Sequence, residues 1–157
     1  MRFLTLPIIF LTTFFITTGA KAQTCNVYPN LDSHGILTKQ CLNEILTGYV
    51  NKHSKGFFII SVSDIDNVYV QGTPKPQSSD QFIVEAVGAY YSKKVTEKIT
   101  QDLVKLGCTS DIEGNFNMVL TADQFLNNQA SDLLYDTLIT YDEQYADKKL
   151  IYFVTNE

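Results

Sequence analysis

Residues 56–72 read GFFIISVSDIDNVYVQG, and this stretch decides the fold class. Phe57 to Val62 is an apolar run without alternation, which predicts a β-strand that is covered on both faces. Asp64 to Asn67 form a turn cluster, and Val68 to Gln71 alternate between two faces, which predicts a second strand. The short turn predicts that the two strands pair in antiparallel orientation.

The sequence downstream of this stretch predicts a third strand. Gly72 to Asp80 contains two prolines, two serines and a lysine, which indicates an exposed loop. Phe82, Val84 and Ala86 then alternate with the residues between them, as in a β-strand. Three consecutive strands with short links are expected to form an antiparallel meander.

Helical periodicity surrounds the meander. Ahead of it, apolar side chains recur at helical spacing over residues 36–50, and Gly56 closes this helix. Behind it, the spacing predicts a second helix over residues 95–106. Thr96 is its expected N-cap, and Gly107 is the expected residue just past its end.

The C-terminal part completes the expected sheet. Residues 116–120 alternate as a fourth strand, and Thr121 with Gln124 forms a capping box that opens a long helix over residues 125–145. Residues 150–154 finish as a strand, which is expected at the sheet edge because it comes last. The predicted fold is α+β, an antiparallel sheet with a three-stranded meander packed by helices, in the order α-β-β-β-α-β-α-β.

The first 22 residues have the features of a removable secretory signal peptide. Arg2 supplies a positive charge, residues 3–16 are almost entirely apolar, and Ala20-Lys21-Ala22 has the small-x-small pattern of a cleavage site. A transmembrane anchor is the alternative, but a membrane span needs about 20 apolar residues and this run is shorter. We therefore expect a mature chain that begins at Gln23, is periplasmic or secreted, and is not inserted in a membrane.

The mature chain is expected to be one domain. Removal of residues 1–22 from the 157-residue chain leaves 135 residues, enough to bury a core of their own. Residues 23–35 are rich in turn residues, which predicts an irregular lead-in. No interdomain linker is evident, so residues 23–157 are predicted to form a single α+β domain.

The charge balance argues against nucleic acid as a partner. The mature chain keeps 10 basic residues, all of them lysine, against 17 acidic residues, and its formal charge is −7. Proteins that bind nucleic acid neutralise phosphates with lysine and arginine, and arginine is the main reader of guanine. We therefore expect neither nucleic acid nor an anionic membrane surface as a partner.

Three cysteines remain after cleavage, namely Cys25, Cys41 and Cys108. In an oxidising compartment two of them can form one disulfide, which leaves one free thiol. We favour Cys25 with Cys41, because this bond would attach the N-terminal tail to the first helix. Cys25 with Cys108 is the alternative. The cysteine spacing matches no zinc or redox motif, so a structural role is expected.

The sequence offers few residues for catalysis or metal binding. His34 lies in the lead-in and His53 in the last turn of the first helix, where structural or solvent-exposed roles are expected. Asp64, Asp66 and Asn67 have the opening rhythm of a calcium loop, but the glycine and glutamate required later in that loop are missing. We therefore expect no catalytic residue, no metal and no cofactor.

Tyrosines recur along the last predicted helix and the final strand, and tyrosine is favoured in binding surfaces. Acidic residues close to them in sequence would form the rim of such a surface. The expected edge strand could also pair with a strand of a partner. The alternative is that the tyrosines only cover the edge of the core. The predicted partner-binding residues are Tyr135, Tyr141, Tyr145, Tyr152, Asp142 and Glu143.

Five short stretches between Gly56 and Leu120 carry a resemblance to a known family. They are Phe57-Phe58-Ile59-Ile60, Tyr69-Val70-Gln71, Glu85-Ala86-Val87 with Tyr90-Tyr91, Leu103-x-x-Leu106-Gly107 and Asn115-Phe116. Together with the order of elements, they resemble the type III secretion chaperone-like superfamily, and within it the TY-Chap domain. Cys108 stands where that family has an aromatic residue. The resemblance implies the family's fold and a habit of binding proteins, often as dimers.

These observations favour an exported, non-enzymatic, chaperone-like module that binds a protein partner or a second copy of itself. A specific version is an immunity protein that neutralises a toxin delivered into the periplasm, because small size, acidity and a signal peptide fit that role. A structural or envelope-maintenance protein is the alternative. A small enzyme that uses carboxylates alone is a further alternative.

Overall fold

The computed structural model describes residues 33–53, 55–63, 66–111 and 114–154. Within them, seven strands form one antiparallel sheet, and four helices accompany it. The strands are β1 (Ser33–Ile36), β2 (Phe58–Ser63), β3 (Val68–Pro74), β4 (Gln81–Ala86), β5 (Thr109–Ser110), β6 (Phe116–Thr121) and β7 (Lys149–Val154). The helices are α1 (Lys39–His53), α2 (Glu97–Lys105), α3 (Ala122–Leu126) and α4 (Gln129–Tyr141), and a 3₁₀ turn follows at Glu143–Tyr145. The predicted α+β class with an antiparallel sheet is confirmed.

The strand order across the sheet is β1-β7-β2-β3-β4-β6-β5. The three strands predicted from the central part of the sequence are therefore neighbours, as β2, β3 and β4. In their register, Phe58 lies opposite Gly72, and Gly72 lies opposite Val84. The turn between β2 and β3 ends at Asn67, whose φ of 52° is a left-handed conformation that asparagine tolerates.

Two predictions about the ends of the sheet are wrong. Residues 33–36, expected in an irregular lead-in, form β1, and the first helix accordingly starts at Lys39. The final strand lies inside the sheet as β7, because β1 pairs with one side of it and β2 with the other. Ile151 and Tyr152 are paired on both sides, so the centre of β7 offers no template for a partner's strand. The predicted signal peptide and the rest of the predicted lead-in lie outside the described residues.

The prediction that β2 is covered on both faces is also wrong. Phe58 and Ile60 are fully buried, whereas Phe57 is 42% exposed and Ile59 is only half-buried. The same alternation of burial runs through β3, β4 and β6, because the described helices pack on one face of the sheet. We call the opposite face the open face. An apolar run cannot reveal this difference, since isoleucine is equally compatible with either position.

The helix boundaries predicted from capping residues are confirmed. Thr96 Oγ1 accepts a hydrogen bond from the backbone N–H of Ile99 at 3.3 Å, and Gly107 follows α2 with a φ of 94°. Thr121 Oγ1 accepts from the N–H of Gln124 at 3.4 Å, while Gln124 Oε1 accepts from the N–H of Thr121 at 2.9 Å. Short-range hydrogen bonds therefore determine where these helices begin.

The last predicted helix is not continuous. Asn127 and Asn128 separate α3 from α4, and Asn128 has a φ of 70°. Asparagine adopts this left-handed conformation at modest cost, so the chain can turn between the two helices. The periodicity does not show the break, because apolar residues continue at helical spacing on both sides of it.

Four aromatic rings form the centre of the core between the sheet and the helices. Tyr49 and Phe58 lie edge to face with ring centroids 4.9 Å apart, and the centroids of Phe82 and Phe125 are 5.0 Å apart. The Tyr49 hydroxyl donates a hydrogen bond to the Gly56 carbonyl at 3.0 Å. This aromatic cluster joins α1, β2, β4 and α3, and such ring pairs add to the stabilisation from burial alone.

The cysteines are divided between a disulfide and a thiol. Cys41 in α1 takes part in a disulfide, and Cys108 is a buried free thiol. The alternative pairing of Cys25 with Cys108 is therefore wrong. Cys25 lies outside the described residues, so its pairing with Cys41 stays a prediction.

The thiol of Cys108 is expected to resist alkylation in the folded protein. Burial raises the pKa of Cys108 to about 11, and the thiolate is the reactive form. We expect iodoacetamide at about pH 8 to leave Cys108 unmodified in the native protein and to modify it in guanidinium chloride. Intact-mass measurement distinguishes the two states. Rapid alkylation of the folded protein would contradict the burial of this side chain.

Candidate functional site

Three of the four tyrosines predicted to bind a partner are buried, namely Tyr141, Tyr145 and Tyr152. The Tyr141 hydroxyl donates to the Val87 carbonyl at 2.6 Å, and the Tyr145 hydroxyl donates to Asp66 Oδ2 at 2.7 Å. All three rings belong to the core, and the hydroxyls of Tyr141 and Tyr145 form hydrogen bonds with polar atoms of neighbouring segments. The prediction that they form a partner-binding surface is therefore wrong.

The other predicted partner-binding residues have three different surroundings. Tyr135 is half-buried, and the ammonium group of Lys39 lies 5.5 Å from its ring centroid. Asp142 accepts a hydrogen bond from a backbone N–H of the 3₁₀ turn at 3.0 Å and pairs with Lys94 at 3.0 Å; these contacts lower its pKa. Glu143 is exposed. Asp142 thus has a structural role, because it caps the turn and holds Lys94.

The open face of the sheet carries a groove of about 460 Å³, which we call the open-face groove. This volume falls within the range of about 300–1,000 Å³ that is typical of ligand sites. Successive side chains of a strand point to opposite faces, so the lining side chains alternate with those of the core. The lining residues are Phe57, Ile59, Gln71, Gly72, Thr73, Ile83 and Glu85.

Glu85 is the charged residue of the open-face groove, and hydrogen bonds hold its carboxylate in place. Its Oε2 accepts from Gln71 Nε2 at 2.5 Å, and its Oε1 accepts from Asn115 Nδ2 at 2.8 Å. Asn115 is itself buried, and its Oδ1 accepts from the backbone N–H of Gly88 at 2.8 Å. The backbone N–H of Asn115 donates to Asp111 Oδ1 at 2.9 Å. Asn115 therefore links the Glu85 carboxylate to the loop that follows β4.

Two exposed tyrosines lie in the loop after β4, and we call Tyr90 and Tyr91 the tyrosine pair. Tyr90 is 82% exposed and Tyr91 is 43% exposed, and their rings lie edge to face with centroids 4.9 Å apart. The Tyr91 carbonyl accepts from Asn67 Nδ2 at 2.9 Å, which attaches the loop to the turn before β3. Burial and the nearby charges of Glu85 and Tyr91 raise the pKa of Tyr69 on the open face. Tyr69 is half-buried in β3, two residues before Gln71 of the groove.

The sequence does not identify the open-face groove, although it contains a signal for it. An unbroken apolar run predicts that Phe57 and Ile59 are core residues, as Phe58 and Ile60 are. The signal is the number of helices relative to strands, because the four described helices are enough to cover one face of a seven-stranded sheet. Apolar residues at alternate strand positions then belong to a surface.

The remaining candidate residues do not form a site. His34 lies in β1 and His53 ends α1, while Asp64 of the calcium-like loop lies outside the described residues. Among the described residues, no group of three or more His, Cys, Asp or Glu side chains is arranged to hold a metal ion. In the same part of the chain, no helix is long and apolar enough to cross a membrane.

The candidate functional surfaces are therefore the open-face groove and the tyrosine pair, of which Tyr91 lines a second cavity with Asp66, Asn67, Lys93 and Lys94. Comparisons with protein-family models, curated proteins and solved structures find no match to this chain.

Proposed function

We propose that this chain is an exported, non-enzymatic module that binds a protein partner through the open face of its sheet. The observation that carries this proposal is the exposure of Phe57 in a groove with apolar walls; the exposed tyrosine pair offers further contact surface. Contiguous apolar surface on a folded domain is characteristic of interaction sites. Tyrosine is also among the residues that most often dominate the energy of protein interfaces.

The construction of this surface suits a binding role. Strands β2, β3 and β4 are central in the sheet, so the groove is built on rigid elements. Asn67 anchors the tyrosine pair, and Asn115 holds both Gly88 and Glu85. A surface that is ordered before binding loses less conformational entropy when a partner docks.

Export and chaperone-like kinship are parts of the same proposal. Export rests on the pattern of residues 1–22, and the kinship rests on the stretches between Gly56 and Leu120 that resemble the chaperone-like superfamily. An immunity protein is one specific form of such a module. For that form, the partner would be a toxin encoded beside the gene for this chain.

Site-specific crosslinking in the producing cell tests the proposal. A photo-crosslinking amino acid placed at Tyr90 or at Phe57 is expected to yield discrete adducts with one protein of defined mass. The control places the same amino acid at Val104 in α2, which is 53% exposed and belongs to the helical layer. No such adduct is expected there, because α2 does not contribute to the open face.

Two results would overturn the proposal. The first is the absence of any adduct from Tyr90 and Phe57 while the variants are folded and exported. The second is an identical set of adducts from Val104, because contact without preference for one face does not indicate a binding site.

A further inference from the structure

The geometry points to an arginine side chain of the partner protein as the occupant of the open-face groove. This inference rests on the proposed function and adds the chemistry of the segment that would bind there. It follows from the hydrogen bonds of Glu85, from the charge around Glu85, and from the walls of the groove.

The carboxylate of Glu85 has acceptor positions left for a planar cation. A carboxylate offers about four lone-pair positions, and Gln71 and Asn115 each use one, on different oxygens. Each oxygen therefore keeps one acceptor position. The two parallel N–H donors of a guanidinium group match two carboxylate oxygens in this way.

The negative charge of Glu85 has no cationic partner among the described residues. Its two hydrogen-bond donors are neutral amides, and Lys75 donates instead to Gln81 Oε1 at 2.9 Å. The described lysines that form ion pairs do so with aspartates; they are Lys39, Lys94, Lys98 and Lys105. A cation brought by the partner would complement this charge and favour specific binding.

The walls of the groove fit the remainder of an arginine side chain. Ile59, Gln71 and Glu85 lie opposite one another across β2, β3 and β4. Neighbouring strands are about 4.8 Å apart, so Ile59 and Glu85 are about 10 Å from each other. The methylene stem of arginine can pack against Ile59 and Ile83, while its planar head reaches the Glu85 carboxylate.

Lysine and a second copy of the chain fit the groove less well. An ammonium group is a compact, strongly hydrated charge that neither forms a fork nor stacks as a plane. The single arginine of the 157 residues is Arg2, within the predicted signal peptide. A second mature copy therefore has no arginine to offer, and the arginine must come from a different protein.

Titration with capped amino acids tests the inference on the isotopically labelled full chain, exported and processed by the producing cell. We expect N-acetyl-arginine N-methylamide to shift the amide resonances of Gln71, Thr73 and Glu85 in a saturable way. The citrulline analogue has the same shape without the charge, and it is expected to bind at least about tenfold more weakly. Glu85→Gln should weaken arginine binding by a similar factor, with a spectrum that confirms the fold.

Each other outcome would overturn the inference. Equal shifts with the citrulline analogue would show that the charge of the guanidinium group is not recognised. Shifts outside the groove, or shifts that do not saturate, would show that arginine does not bind at this site. Tighter binding of the capped lysine would exclude the guanidinium fork. Shifts of groove resonances on dilution alone would show a second copy in the groove. If adducts form at Tyr90 but capped arginine does not bind, only this inference fails; if arginine binds and no adduct forms, the proposed function fails.

Discussion

Replacing Phe125 with alanine is expected to lower the free energy of unfolding by about 3–5 kcal/mol. Phe125 is fully buried, and its ring centroid lies 5.0 Å from that of Phe82 and 6.2 Å from that of Phe58. Truncation would leave a cavity at the centre of the aromatic cluster. A domain of this size has about 5–15 kcal/mol of total stability, so a large part would be lost. Urea denaturation followed by circular dichroism measures the change.

Leu126→Ala is the matched control for this prediction. Leu126 is the next residue of α3 and is 48% exposed, so its truncation is expected to cost less than about 1 kcal/mol. Equal losses in the two variants would show that α3 does not present Phe125 to the core.

Gly88→Ala is expected to destabilise the protein by about 3 kcal/mol or more. A Cβ atom at Gly88 would lie 1.8 Å from the carbonyl oxygen of Gly114. The position of this Cβ is fixed by the backbone at residue 88, and the oxygen belongs to the backbone of Gly114. Neither can rotate away as a side chain could, so the segments must separate. Their separation would strain the hydrogen bond from Gly88 N–H to Asn115 Oδ1. Thermal unfolding measured by circular dichroism gives the loss.

Ala89→Ser provides the comparison for the glycine variant. Ala89 is the adjacent residue and is exposed, so this substitution is expected to stay within about 0.5 kcal/mol of the unmodified protein. A Gly88→Ala variant as stable as Ala89→Ser would mean that the loop after β4 and the turn before β6 are not in contact.

Local chemistry explains which parts of the fold were predictable. The N-caps Thr96 and Thr121 act within three residues of themselves, so their hydrogen bonds depend little on the rest of the molecule. The pairing of β2 with β3 is similarly local, because a short turn joins them. By contrast, β1 pairs with β7 although more than 110 residues lie between Ser33 and Tyr152. No short-range pattern encodes such a contact, so the sequence predicts β7 at the edge although it lies between β1 and β2.

The sequence predicts that tyrosine contributes to the candidate site, but not which tyrosines do so. The sequence shows that tyrosine is plentiful, and tyrosine serves both cores and interfaces. The structure divides the tyrosines between these uses. Tyr141 and Tyr145 direct their hydroxyls to Val87 and Asp66 inside the fold, while Tyr90 lies almost entirely in solvent. This division depends on which face each element presents, and helical periodicity cannot decide it for residues at the margin of an apolar stripe.

The sequence by itself determined the α+β class, the antiparallel pairing of the central strands and the capped helix ends, because each depends on interactions between residues that are close in the chain. Only the tertiary structure decided which face of the sheet the helices cover. Phe58 and Phe57 are adjacent and chemically identical, yet one lies in the core and the other is exposed beside the open-face groove. The physical reason is that burial depends on what packs against a side chain from elsewhere in the chain, and not on the side chain itself.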